Sequence, residues 1–305
     1  MKMLDALLTM WNMLPSTLMM AAPILIAATG GMICERAGVV NIALEGLMVI
    51  GAMAAATTHV LLENTISFSI PLAFLLAALL GCVFSLVHAF ASITLRADQI
   101  VSGTGINLLS LGLTVFFCQL FFQADRTQNF RIGMMAVRGV YPTAWIALGI
   151  LLAVAFMLYK RPWGLRMRAA GEHPQALASA GVSVIKMRYT AVLISGMLAG
   201  IAGASVVLTQ DIQFTVTTIN GKGFIALAAV SFGRWLPLGI LGASFLFGFS
   251  SALAVNIVNI ASLRALPSEF FSLLPYLITL LTLVIFSGKD YAPRAVGQPY
   301  DKGKG

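Results

Sequence analysis

Long runs of apolar residues alternate with short polar breaks along almost the whole chain. The apolar spans run approximately from Leu14 to Ala28, Ile42 to Leu61, Phe68 to Ile93, Ile100 to Phe122, Ala144 to Tyr159, Tyr189 to Leu208, Phe224 to Phe232, Leu236 to Val258 and Phe270 to Phe286. About 20 apolar residues in a helix cross a bilayer core of roughly 30 Å, because every backbone amide must find its partner within its own segment. The pattern predicts an all-α polytopic membrane protein, a single domain over residues 1–305 built from about 8–10 transmembrane helices. A membrane β-barrel would show alternating segments of about ten residues instead, and these runs do not alternate. Two spans are atypical: Pro23 interrupts the first, and the span from Phe224 is too short to cross alone unless Lys222 or Arg234 snorkels. Short and broken helices are where transporters keep their pathways.

The main polar interruption is the loop over residues 160–188. It holds six of the chain's 19 Lys and Arg residues, Lys160, Arg161, Arg166, Arg168, Lys186 and Arg188, against one acid, Glu172. Such an excess marks a cytoplasmic loop. Alternation from there puts Arg234 and the tail over residues 288–305 on the cytoplasmic side, and Arg96 and Asp98 with them. It leaves Arg126, Arg131 and Arg138 outside, against the positive-inside tendency. Within the loop, Pro174 and Gly181 bracket QALASA, which predicts a short helix with proline at its start and glycine just past its end. His173 is expected to cap it. A short structured helix on a basic cytoplasmic loop reads as a docking element.

Composition agrees with a membrane protein: 59% hydrophobic, 10% charged, mean hydropathy +0.93. The net charge of +8 reads as topology signal and not as a nucleic-acid surface, since no aromatic and basic stripe or soluble domain carries it. Cys34, Cys82 and Cys118 lack paired spacing and read as small packing residues with no metal or disulfide role. The amino-terminal segment shows no small-residue cleavage site and is expected to be retained.

Polar residues inside apolar spans are the candidate chemistry. Glu45 costs about 2.5–3.5 kcal/mol to insert and needs a reason to be there. With Asn41 four residues earlier on one helical face, it belongs either to a polar pathway or to a hinge that holds the bundle, or else to a capped helix start, with Asn41 as the cap and Glu45 close enough to the interface to stay wet or pair with Arg36. Gln99, Ser102 and Asn107 share a face of the next polar-entered span, either as solute hydrogen-bonding groups or as part of a capped start led by Asp98. Gly221 and Gly223 bracket Lys222 ahead of Phe224, where a re-entrant turn or a plain surface loop both fit. His59 and His88 read as hydrogen-bonded packing residues. Gly196, Gly200 and Ala204, with Gly203 beside them, form a small-residue row for close helix packing. No zinc, nucleophile-elbow or P-loop motif occurs, so ATP hydrolysis by a P-loop of this chain is excluded.

Four stretches resemble the permease subunits of ABC importers of the branched-chain amino acid and simple-sugar group, most closely the nucleoside permeases that work with basic-membrane-protein-like lipoproteins. They are GGMICERAGVVNIALEGLMVIGA from Gly30, LRADQIVSGTGINLL from Leu95, WGLRMRAAGEHPQALASAGVSV from Trp163 and GKGFIALAAVSFGRWLPLG from Gly221. The resemblance implies a multi-pass protein of a bacterial cytoplasmic membrane that binds no cofactor and is not an enzyme. Its implied partners are a separate ATPase that uses the ATP, a second permease subunit, identical or related, and an extracytoplasmic solute-binding protein. It makes Gly171, Glu172, His173, Pro174, Ala176 and Gly181 the coupling helix and its margins. It makes nucleosides the expected cargo, with simple sugars as alternative, along a pathway near Asn41, Glu45, Gln99, Asn107 and Phe224. An ion-coupled transporter would need a deep coupling carboxylate, for which Glu45 is the candidate. A membrane enzyme would need an acid, base or metal cluster that the eleven scattered acids do not supply.

Overall fold

The computed structural model describes residues 2–256 and 291–301, with Leu273, Leu277, Leu281 and Val284 between them; for residues 2–12 it describes the backbone alone. The chain is an all-α polytopic membrane protein. Its helices are α1 (Lys2–Arg36), α2 (Leu44–Leu62), α3 (Ser69–Ala89, continued by a π-helical turn over Phe90–Thr94), α4 (Gln99–Phe122), α5 (Pro142–Lys160), α6 (Pro162–Glu172), α7 (Pro174–Ser179), α8 (Val184–Thr209), α9 (Lys222–Phe232) and α10 (Pro237–Asn256). Among the described residues seven helices are long and apolar enough to cross a membrane: α1, α2, α3 with its π turn, α4, α5, α8 and α10. The expected span from Phe270 to Phe286 falls mostly outside the described residues.

Three helices, α1, α2 and α8, form the interior and are buried on most sides, while α3, α4, α5 and α10 surround them. The outer helices turn large apolar side chains outward, among them Leu75, Val101, Trp145 and Leu238, the last 81% exposed. In a bilayer these faces meet lipid tails, which is the environment their composition suits. Lipid offers no hydrophobic drive between helices, so close backbone approach must supply the packing. The small-residue row of α8 provides it on two sides. A methyl added at Gly200 would run into the Ala77 carbonyl of α3, one at Gly196 into Ser85 of α3, and one at Gly203 into the Met48 carbonyl of α2.

The sequence expectation for Pro23 is corrected. The helix runs unbroken through Pro15 and Pro23 to Arg36. A proline inside a helix frees the carbonyl four residues earlier and introduces a clash, but membrane helices tolerate it when neighbours re-satisfy the backbone; the carbonyl that Pro23 frees is that of Met19, and Gln210 Nε2 donates to it at 3.2 Å.

The basic segments meet at one end of the bundle. Arg96 pairs with Asp301 at 3.3 Å, Arg36 with Glu172 at 3.8 Å, and the Arg234 guanidinium lies 4.5 Å from the Tyr291 ring centre. At the opposite end the 123–141 connection packs on the far ends of the interior helices. The Met134 amide donates to the Leu208 carbonyl, the Phe130 amide to that of Ile212, and the Arg131 amide to Glu63 Oε2. The alternation read from the charges therefore has its physical counterpart. The carboxyl end of α1 lies at the basic end and its amino-terminal part at the other, where Gln210 Nε2 reaches the Met19 carbonyl.

Candidate functional site

Two unwound segments enter the bundle. One, residues 37–43, joins α1 to α2; the other, residues 210–221, joins α8 to α9. Because α9 has only 11 residues, it covers about 16 Å at 1.5 Å per residue. Its amino terminus therefore opens well inside the bundle. Asn220 and Gly221 both take positive φ, 45° and 81°, a tight reversal that turns the chain into α9 and exposes its first amides.

Those amides are closed by Glu45. The Gly221 amide donates to Oε1 and the Gly223 amide to Oε2, each at 2.7 Å. A helix amino terminus carries partial positive charge and unpaired N–H groups, so a carboxylate there is the complementary group. Gly223 permits the approach: a Cβ on it would lie 2.5 Å from the Glu45 backbone. The half-buried carboxylate that the sequence left unexplained is thus the cap of a helix 176 to 178 positions away. It does not pair with Arg36, which instead donates to the Trp235 carbonyl at 3.1 Å from Nη2 and faces Glu172.

Asn41 is neither a helix cap nor on a helical face with Glu45. It lies in the unwound segment, ahead of Ala43 at the N-cap of α2, and its Nδ2 donates to Ser195 Oγ of α8 at 2.8 Å. The side chain is fully buried, and Oδ1 has no hydrogen-bond partner among the described residues. Ser195 immediately precedes the small-residue row, and nothing in its local pattern signals this role.

At the polar entry of α4 the contacts are those of a capped start whose side chains bond neighbouring backbone. Asp98 caps the helix, accepting from the amides of Ile100 and Val101 at 2.8 and 2.9 Å. Gln99 and Asn107 turn to the unwound segment instead. Gln99 Oε1 accepts the Val40 amide at 2.7 Å, leaving Nε2 without a partner among the described residues. Asn107 Oδ1 accepts the Gly46 amide at 2.8 Å while Nδ2 donates to the Ile42 carbonyl at 3.0 Å. His88 completes the frame: its Nε2 lies 3.0 Å from the Val40 carbonyl and its Nδ1 3.0 Å from Ser102 Oγ. A carbonyl only accepts, so Nε2 carries the proton and Nδ1 receives one from the hydroxyl. Four of the five expected pathway residues, Asn41, Glu45, Gln99 and Asn107, thus converge on residues 40–46. The fifth, Phe224, stands 50% exposed on the first turn of α9.

Near the end opposite the basic segments, burial raises the Asp211 carboxyl above its ordinary range, while Lys222 and a hydrogen bond with Thr218 pull it back. Lys222 Nζ donates to the Thr218 carbonyl at 3.2 Å. His59 packs edge-on against Phe130 and meets the Ile132 carbonyl at 2.6 Å. The three cysteines are free.

At the basic end the short helix α7 spans Pro174–Ser179, and Gly181 follows with φ 78°. The bracketing read from sequence is the observed one. His173 stands at the N-cap position, but its ring makes no capping bond; its carbonyl accepts the Leu177 amide at 3.2 Å, which the first proline of the helix allows without help from the ring. Pro174 and Leu177 face inward, whereas His173, Gln175, Ala176, Ser179 and Ala180 are exposed. The helix is held from one side and open on the other.

Residues 13–283 match the family described as branched-chain amino acid transport system / permease component. The chain is 41% identical to the guanosine ABC transporter permease protein NupQ of Bacillus subtilis, over 95% of its own length and 96% of the relative's. It is 36% identical to the nucleoside ABC transporter permease protein NupC of Lactococcus lactis, over 97% and 98%. A putative glucose ABC transporter permease protein of Haloferax volcanii, TsgC13, is 33% identical over 80% of this chain and 77% of that protein.

Proposed function

The chain belongs to the family of branched-chain amino acid transport system permease components, and from that membership we propose that it is the membrane-spanning subunit of an ATP-driven importer of nucleosides. The observation that carries the cargo is the near full-length likeness to relatives named for guanosine and nucleosides. The closed amino terminus of α9 supports the same choice. A free helix start inside a bundle would receive an anionic group such as an amino-acid carboxylate. Here the protein's own Glu45 fills that place, which favours a neutral solute. Sugars are neutral too, and the likeness to a putative glucose permease keeps them as the second reading.

In this reading the solute passes beside the two unwound segments. Phe224 offers an exposed ring for stacking on a base, and stacking of this kind tolerates different bases. Asn41 Oδ1 and Gln99 Nε2 are an acceptor and a donor whose hydrogen-bonding capacity remains open among the described residues. Asn107 and Glu45 hold the walls. Transport requires no covalent chemistry from any of them. ATP binding and hydrolysis belong to a separate ATPase seated on the exposed face of α7, with Gly171, Glu172, His173, Pro174, Ala176 and Gly181 at that junction. A second permease subunit, related or identical, completes the pathway, and an extracytoplasmic binding protein delivers the solute. The ATPase biases the permease between inward-open and outward-open states through its different contacts with each.

The test is competition in vesicles that hold this chain with its neighbouring permease, ATPase and binding protein. Labelled guanosine uptake driven by ATP, displaced by other nucleosides and not by ribose or glucose, is the expected result. Displacement by sugars alone would move the cargo to the second reading, and uptake that survives without the ATPase but collapses with an ion gradient would overturn the importer.

A further inference from the structure

The described part of the carboxyl-terminal tail, residues 291–301, returns to the basic end and touches every corner of it. Tyr291 lies under the Arg234 guanidinium, and Arg234 Nη1 donates to its hydroxyl at 3.4 Å. The Ala295 amide donates to the Gly171 carbonyl at 2.8 Å, and the Arg294 amide meets Glu172 Oε2 at 3.5 Å. Tyr300 packs against a small apolar cluster of Ala170, Leu177 and Val184, which joins α6, α7 and α8. Asp301 pairs with Arg96 at the turn between α3 and α4.

Arg188 anchors this arrangement. Its side chain is 2% exposed, an unusual place for a guanidinium. Among the described residues no carboxylate pairs with it. The tail supplies its partners: Nη1 donates to the Gln298 carbonyl at 2.7 Å and Nη2 to the Ala295 carbonyl at 3.5 Å. A buried charge is tolerated only when oriented groups replace its water. The tail therefore stabilises Arg188 and Arg188 holds the tail, and the two depend on one another.

The tail also reaches a strained part of the bundle. Arg234 and Trp235, between α9 and α10, both take positive φ, 53° and 54°. Non-glycine residues hold that conformation only where surrounding contacts fix it. Trp235 Nε1 donates to Glu35, its carbonyl accepts from Arg36, and Tyr291 packs on Arg234. One end of α9 is thus tied to α1 and the tail, and the other is capped by Glu45 at the solute seam.

We propose that residues 291–301 form a strap that joins the coupling helix α7 to the α9–α10 turn as one mechanical unit, with Arg188 as its positioning residue. The strap rests on the reading of α7 as the ATPase contact. Motion imposed on α7 passes through Leu177 and Tyr300, and through Gly171 and Ala295, along the tail to Arg234 and so to α9. Without the strap the ATPase still finds the exposed face of α7, but its movement is no longer conveyed to the solute seam.

The experiment uses the full complex with three changes to this chain: termination after Asp290, Arg188→Gln, and deletion of Glu172 to Ala180. Three readouts are taken: ATPase subunit co-purified, ATP hydrolysed, and guanosine taken up per ATP. The strap predicts that the first two variants retain the ATPase and hydrolyse ATP while uptake per ATP falls about tenfold or more. A change of less than twofold in both overturns it, as does loss of the ATPase from the terminated chain, which would make the tail a docking element. Arg188→Lys keeps the charge but not the two-pronged geometry and should lie between Arg188→Gln and the unaltered chain, so a terminated chain that fails to reach the membrane still leaves a graded test. The deletion separates the underlying reading from the strap: undiminished ATPase co-purification there removes α7 as the contact, whatever the strap variants do.

Discussion

Glu45 and Gly223, 178 positions apart, are joined by a 2.7 Å bond from the Gly223 amide to Oε2. The contact sets where α9 begins and, with it, the inner wall of the proposed solute pathway. Charge-assisted bonds of this kind are worth roughly 1.5–3 kcal/mol. Glu45→Gln keeps one acceptor and should lower the melting temperature of the detergent-purified protein modestly, while Glu45→Ala should lower it further and abolish uptake. Equal stability of all three would show that the bond does not hold α9.

Asn107 and Asn41 should separate on mutation. Asn107→Ala leaves the Gly46 amide and the Ile42 carbonyl without their side-chain partner, each such loss costing about 1–3 kcal/mol, so the yield of folded protein should drop. Asn41→Ala removes one bond, to Ser195, and should act on the apparent KM of uptake more than on folding. Thermal stability and transport kinetics of the two variants, measured side by side, check the distinction.

Gly200→Leu should be among the most damaging single changes outside the seam, since even a methyl there meets the Ala77 carbonyl. Overpacking typically costs about 1–3 kcal/mol, and at a backbone contact the helices must part. Gly112→Ala, on α4 where an added Cβ meets nothing within 4 Å, should leave size-exclusion profiles unchanged.

Burial raises the Asp211 carboxyl against the pull of Lys222 and Thr218. A carboxyl raised in the folded state favours folding while protonated, and that contribution is lost as pH rises through the folded-state value. The melting temperature of the unaltered protein, relative to Asp211→Asn, should therefore decline as pH rises above the ordinary carboxylate range. A flat difference over that rise would show that Lys222 fully compensates the burial.

The spans, the basic end and the short helix bracketed by Pro174 and Gly181 were legible because bilayer thickness, charge bias and proline geometry act locally on the chain. Glu45 was legible as an anomaly, but its explanation lay in amides near position 222, which no local pattern connects to it. Asn41 and Asn107 look alike in sequence as polar residues entering apolar spans. Only packing shows that one braces α2 through both its amide atoms while the other keeps an open acceptor. Arg188 read as one more topology charge, and its burial under the tail required the fold to bring residue 298 beside it. Pro23 misled because a proline signal calibrated on isolated helices does not include the neighbours that a membrane bundle provides.

The central claim is that α7 links an ATPase to a nucleoside pathway in this chain. It is tested most directly by ATP-dependent guanosine uptake in vesicles holding the full importer, with and without residues Glu172 to Ala180. Uptake by the intact chain and its loss in the shortened one, with both chains present at equal level in the membrane, is the predicted result. Equal uptake by both would contradict the account.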